Sequence, residues 1–176
     1  MSVKNHVLVA IVAAALQIGP SFPALAQSGE VITKQYDTGG VYEGEFLNGM
    51  QHGQGTYRLP NGYEYTGQWV EGRIEGQGEA KFPNGSVYVG AFVNGRPEGQ
   101  GRITFADGGT YEGQWLDGKI TGSGTARYAN EVVYTGDFVD AVHQGFGTMS
   151  SPNGYVYEGQ WANGIKEGTG KITYPD

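Results

Sequence analysis

The chain has no cysteine. That absence excludes disulfides, a lipid anchor on a lipobox cysteine, a thiolate nucleophile and the cysteine-rich zinc sets. Proline and methionine are scarce, with 7 and 3 copies in 176 residues, and only 16% of the chain is charged. Beyond the N-terminus there is no long apolar run, so no second membrane-spanning segment is expected. No stretch carries the periodicity of an amphipathic helix. What is abundant is glycine, with 32 copies, alongside 12 Tyr, 7 Phe and 3 Trp. Gly-rich linkers and collagens do not carry this many rings, so the composition points to repeated tight turns with rings packed between them.

The N-terminus reads as a separate unit. Lys4 and His6 form a short polar start, and Val7 to Ile18 is an apolar run interrupted only by Gln17. Gly19, Pro20 and Pro23 break any helix, and Ala24-Leu25-Ala26 precedes Gln27 as a small-x-small cleavage site. This is the layout of a secretory signal peptide, with an apolar core shorter than the ~20 residues a bilayer span needs. Its compact form looks bacterial, and the expected destination is periplasmic or secreted after cleavage near Ala26. The expected organisation is a signal peptide at 1–26, an N-terminal segment with a partial repeat at 27–41, and repeats over 42–176. Removing Lys4 leaves 10 Lys+Arg (11 − 1) against 18 Asp+Glu, a formal charge of −8. That balance opposes general attraction to nucleic acid or anionic lipid.

From Tyr42 the sequence repeats every 23 residues without insertion or deletion, at Tyr65, Tyr88, Tyr111, Tyr134 and Tyr157. Each Tyr is followed at spacing two by glycine (Gly44, Gly67, Gly90, Gly113, Gly136, Gly159) and at spacing four by a large ring. That ring alternates strictly: Phe46, Trp69, Phe92, Trp115, Phe138, Trp161. Later come a Gly-x-Gly pair, an apolar residue such as Phe82 or Phe105, and a corner such as Pro60-Asn61-Gly62. In Tyr42-Glu43-Gly44-Glu45-Phe46 the rings and glycine share one face and the acids the other. Asn48-Gly49, Asn94-Gly95, Asp117-Gly118 and Asn163-Gly164 suit hairpin turns that need positive φ. The expected fold is all-β, an elongated, twisted single antiparallel sheet of about a dozen short strands, on the order of 60 Å long. Strand glycines such as Gly44 and Gly55 would leave room for rings to lie across the backbone.

Tyr-x-Gly-x-aromatic followed by Gly-x-x-x-Gly-x-Gly, at this period, resembles the MORN repeat family over residues 42–176. Val31 to Val41 looks like the second half of a preceding unit. The resemblance implies an open sheet with a concave aromatic groove that serves as an interaction module, with lipid binding, peptide binding and dimerisation known in the family and no catalysis of its own. Three positions depart from the pattern: Glu131 replaces a corner glycine, Ala141 a hairpin glycine and Ser151 a late ring. The loop from Asp140 to His143 is therefore expected to be distorted.

Catalytic motifs are missing. His52 and His143 lack companions for a metal set and read as solvated loop residues. Gly168-Thr169-Gly170-Lys171 lacks the early glycine and the final Ser or Thr of a phosphate loop. Glu75, Glu98 and Glu167 share one repeat position, with Arg73 and Arg96 two residues earlier, and read as a solvated mixed-charge edge. No catalytic residue, metal or cofactor is expected. A single-layer sheet cannot bury both faces, so ring rows are candidates for binding. The rings chosen are those of the central repeats: Tyr65, Trp69, Tyr88, Phe92, Tyr111 and Trp115. The expected role is a non-catalytic scaffold of the bacterial envelope or periplasm that holds a protein partner, with a homodimer through sheet edges allowed and nucleic acid excluded. The competing role is binding of an envelope glycan or phospholipid.

Overall fold

The computed structural model describes residues 30–175; the expected signal peptide and its cleavage site lie outside them. From Glu30 onward the alternating pattern becomes strand after strand. These are β1 (Glu30–Gln35), β2 (Val41–Leu47), β3 (Met50–Arg58), β4 (Glu64–Val70), β5 (Arg73–Lys81), β6 (Val87–Val93), β7 (Arg96–Thr104), β8 (Thr110–Leu116), β9 (Lys119–Arg127), β10 (Val133–Val139), β11 (Val142–Ser150), β12 (Val156–Ala162) and β13 (Ile165–Thr173). They form one sheet in sequence order, a 13-stranded antiparallel meander. The all-β open sheet is thus the fold that the spacing of rings and glycines leads one to expect. β1 and the turn after it, closed by Gly39 N–H on the Tyr36 carbonyl at 2.9 Å, stand in the place of a half-unit before Tyr42.

Two kinds of turn make the meander. Within each repeat the hairpin closes on two residues with positive φ, such as Asn48 (51°) and Gly49 (79°). That geometry matches the natural twist of the flanking strands. Between repeats the corner is held by an Asn or Asp side chain. Asn61 Oδ1 accepts the Tyr63 amide at 3.0 Å, and Asn84, Asp107, Asn130 and Asn153 repeat the contact. The departures keep this geometry: Glu131 stands at φ 65°, Asp140 at 48° and Ala141 at 64°. The expected distortion of the loop from Asp140 to His143 is therefore corrected. The backbone follows the common path, and a side chain is carried where glycine is favoured.

The core is a ladder of rings on one face. Tyr42 lies across Gly44 of its own strand and Gly55 of the next, and a Cβ on Gly55 would overlap the ring. Its hydroxyl donates to the Glu45 carbonyl at 3.0 Å, so the buried phenol is satisfied. The ring edges meet Phe46 of the same repeat and Trp69 of the next, each at 5.1 Å between centroids and near perpendicular. Tyr65 sits in the same way between Trp69 and Phe92, Tyr88 between Phe92 and Trp115, and Tyr111 between Trp115 and Phe138. Each Tyr is thus clamped by rings from two repeats. Such perpendicular pairs contribute about 0.5–1.5 kcal/mol beyond the area they bury. Loss of solvent on burial raises the phenol pKa of Tyr42, Tyr88 and Tyr134 to about 12.

Candidate binding surfaces

The six rings singled out from the sequence all belong to this ladder. Tyr65, Trp69, Tyr88, Phe92, Tyr111 and Trp115 are 0–7% exposed. They are brought together, but as an interior: glycine backbone lies beneath them, neighbouring rings cover their edges, and side chains such as Ile74 and Ile120 pack against them. A surface for a partner must therefore be sought elsewhere. Most accessible rings lie further along each repeat, near the corners; Phe146, 56% exposed, stands instead within β11. Tyr57, Tyr63, Phe82 and Tyr155 are partly covered against the ladder, and Phe105 and Tyr128 are 39% and 41% exposed. Beside Tyr128 a depression of about 600 Å³ is lined by Val132, Met149 and the corner residues Ala129 and Asn130.

The strict Phe/Trp alternation has a structural reason that periodicity alone does not disclose. Trp69 Nε1–H donates to the Gly55 carbonyl of the preceding repeat at 3.2 Å, and Trp115 and Trp161 do the same to Gly101 and Gly147. The residue before each Trp is Gln, and its side-chain oxygen accepts a backbone amide across the bulge in its own hairpin: Gln68 from Gln77, Gln114 from Ser123, Gln160 from Thr169. Of the Phe units, Glu45 makes the same contact with the Gln54 amide at 3.0 Å, while Ala91 and Asp137 stand at that place in the others, so it is the indole bond that sets the Trp units apart. The packing unit is therefore a pair of repeats.

His143 is corrected from a solvated loop residue to part of the ladder. It lies on β11 with its ring stacked on Tyr134, 3.7 Å between centroids and 15° between planes. Phe138 and Trp161 meet it edge-on at 5.4 and 5.0 Å, and its Nε2 shares a 2.7 Å hydrogen bond with the Tyr128 hydroxyl. Burial pushes its pKa below the ordinary histidine value. In other repeats Ile74, Pro97, Ile120 and Lys166 take this place. The sequence signal was available: stepping by the repeat from Ile74 and Ile120 lands on His143.

The acidic position proves to be a set of staples between hairpins. Glu75 accepts the Asn94 amide at 3.1 Å and Glu98 the Asp117 amide at 2.8 Å, while Gln144 does the same for Asn163 at 2.8 Å. Arg96 adds an ion pair to Asp117. Among the described residues no group of three His, Asp or Glu side chains is placed to hold a metal ion.

The opposite face is largely polar, and a second concavity lies there. The expected aromatic groove is filled by its own packed rings, and on the other face a concavity of about 660 Å³ lies over β7 to β10. Toward the N-terminus this polar face is laced by ion pairs. Arg58 meets Glu64 at 2.8 Å and Glu43 at 3.7 Å; Lys81 meets Glu64 at 3.1 Å and Glu79 at 3.7 Å. The two cations hold the Glu64 carboxyl below the ordinary value, mainly through their hydrogen bonds.

With this geometry in place, the family model for the MORN repeat matches six consecutive segments, residues 42–62, 65–87, 88–110, 111–132, 134–154 and 157–176. The chain belongs to the MORN-repeat family. Two solved structures resemble this MORN array in fold. One is the G-box domain of the microcephaly protein CPAP, at 16% identity and TM-score 0.51, covering 82% of this chain and 74% of that one. The other is the Drosophila melanogaster SAS-4 TCP domain in complex with a proline-rich motif of Ana2, at 13% identity and TM-score 0.50, covering 90% and 97%. No curated protein matches the chain.

Proposed function

We propose that this MORN array is a non-catalytic protein-binding scaffold that holds an extended partner segment against the half-exposed corner rings. One observation carries the reading: Phe105 and Tyr128 stand accessible beside a packed ring ladder, and Tyr128 lines a depression with Val132 and Met149 on its wall. Ordered rings with apolar neighbours are suited to a proline-rich or similarly extended segment, which has little entropy left to lose on binding. The fold neighbour in complex with a proline-rich motif supports this class of partner. The signal-like residues 1–26 support a periplasmic or secreted setting in a bacterial envelope.

The test is cross-linking in living cells with the tagged full chain, repeated with a Phe105→Ala, Tyr128→Ala double variant. A reproducible protein partner that is lost in the folded variant supports the reading. Unchanged capture by the variant would sink it. Recovery of glycan or phospholipid alone would replace a protein partner with an envelope ligand.

A further inference from the structure

We propose that the concavity on the polar face binds an extended acidic peptide segment, with its carboxylates on Arg102 and Arg127; this rests on the protein-binding reading and names a second contact for the partner. Both arginines line the concavity and both are exposed. Among the described residues neither makes an ion pair.

The repeat explains why they are left over. Arg58 and Lys81 face Glu64 from the strands on either side of it, and both pair with it. Arg127 stands at the equivalent position two repeats after Lys81, but its cross-strand neighbours are Thr110 and Val133. The slot that holds a carboxylate earlier in the array is empty of charge here. Arg102 has Val89 on one side and Glu112 on the other. Two guanidiniums therefore meet a single acid, a local positive excess inside a chain of net charge −7. Planar guanidinium forks are well matched to carboxylates.

The rest of the site fits a polypeptide. Thr125 and Thr135, in the same cross-strand row as Arg102 and Glu112, share a hydroxyl contact at 3.1 Å, and Glu112 supplies an acceptor for backbone N–H groups. No ring lines the concavity, so it offers no stacking platform for a sugar. Every strand beneath it is paired on both sides, so the segment is held by side chains and does not add to the sheet. Arg102 and Arg127 are two strands apart and two residues out of register, roughly 12 Å on sheet spacings. Carboxylates four residues apart on an extended chain share a face and are separated by about 13 Å, a match within the reach of two arginine side chains.

The test is fluorescence polarisation of a labelled Glu-Ser-Gly-Ser repeat peptide with the full chain at low salt. Saturable binding is expected, weakened about tenfold or more for the matching Gln-Ser-Gly-Ser peptide and for an Arg102→Gln, Arg127→Gln double variant with an unchanged circular dichroism spectrum. Arg58→Gln, which alters a site already paired, should bind as wild type. Equal affinity for the two peptides, or wild-type affinity in the double variant, overturns the proposal. So does displacement by polygalacturonate at lower concentration than by the acidic peptide, which would make the ligand a glycan. If the peptide fails while partner capture in cells still depends on Phe105 and Tyr128, only this site falls; if both fail, the scaffold reading falls with it.

Discussion

The third and fifth repeats share the Phe type of packing yet differ in nearly every accessory residue. The third has Asn94-Gly95 in its hairpin, Pro97 over the ladder and Asp107-Gly108 in its corner. The fifth has Asp140-Ala141 and His143 at the first two places, Ser151 where the third has Phe105, and it follows a corner built on Glu131. Their ladders are nonetheless alike: Tyr88 and Tyr134 each meet their own Phe at 5.1 Å, and their hydroxyls donate to the Ala91 and Asp137 carbonyls at 3.0 and 3.1 Å. The backbone path is therefore dictated by rings lying across glycine pairs, and turn residues adjust to it.

That comparison can be broken at its strongest point first. Tyr88→Ala and Tyr134→Ala should each destabilise the array by about 3–5 kcal/mol in urea unfolding, the range for loss of a large buried ring. A clearly smaller loss in the fifth repeat would mean that its ladder is weaker than its geometry implies.

The second difference is the histidine. His143 is held neutral by burial in the folded chain, so the unfolded chain binds the extra proton. Stability should accordingly fall as pH drops through the ordinary histidine value near 6.5, and be fully present above it. Thermal melts between neutral and mildly acidic pH should show a flatter dependence in His143→Ile than in the native chain; identical profiles would refute the assignment.

Smaller effects come from the turns. Ala141→Gly and Glu131→Gly should each raise stability by roughly 1 kcal/mol, because both native residues occupy the left-handed region. Gly95→Ala should lower it by a similar amount, since Gly95 stands at φ 75° and the added methyl would meet only open space, leaving the backbone strain uncompensated. Smallest of all, Glu98→Ala removes one exposed staple to the Asp117 amide and should cost about 0.5 kcal/mol.

Much of the fold was legible because the pattern is rigid. Tyr42 and its successors, their glycines and the Asn-Gly turns define strand, face and hairpin without reference to any contact between repeats. The binding surface was less legible. Alternation places Tyr88 and Phe92 on a common face, but it does not reveal that the next repeat's Trp115 closes over Tyr88. Nor does it reveal that His143 would fold back onto Tyr134, because that depends on the hairpin bulge bringing the β11 residue above the ring of β10. The unpaired state of Arg127 was hidden for the same reason: it needs the register that sets Thr110 and Val133 beside it.

The bond from each Trp indole to a glycine carbonyl of the repeat before it has a consequence for how such a chain can change length. A single inserted or deleted unit would set Phe beside Phe or Trp beside Trp, whereas a pair preserves every neighbour. The double repeat is therefore the unit by which this array can change length and keep every ring beside the partner it has now.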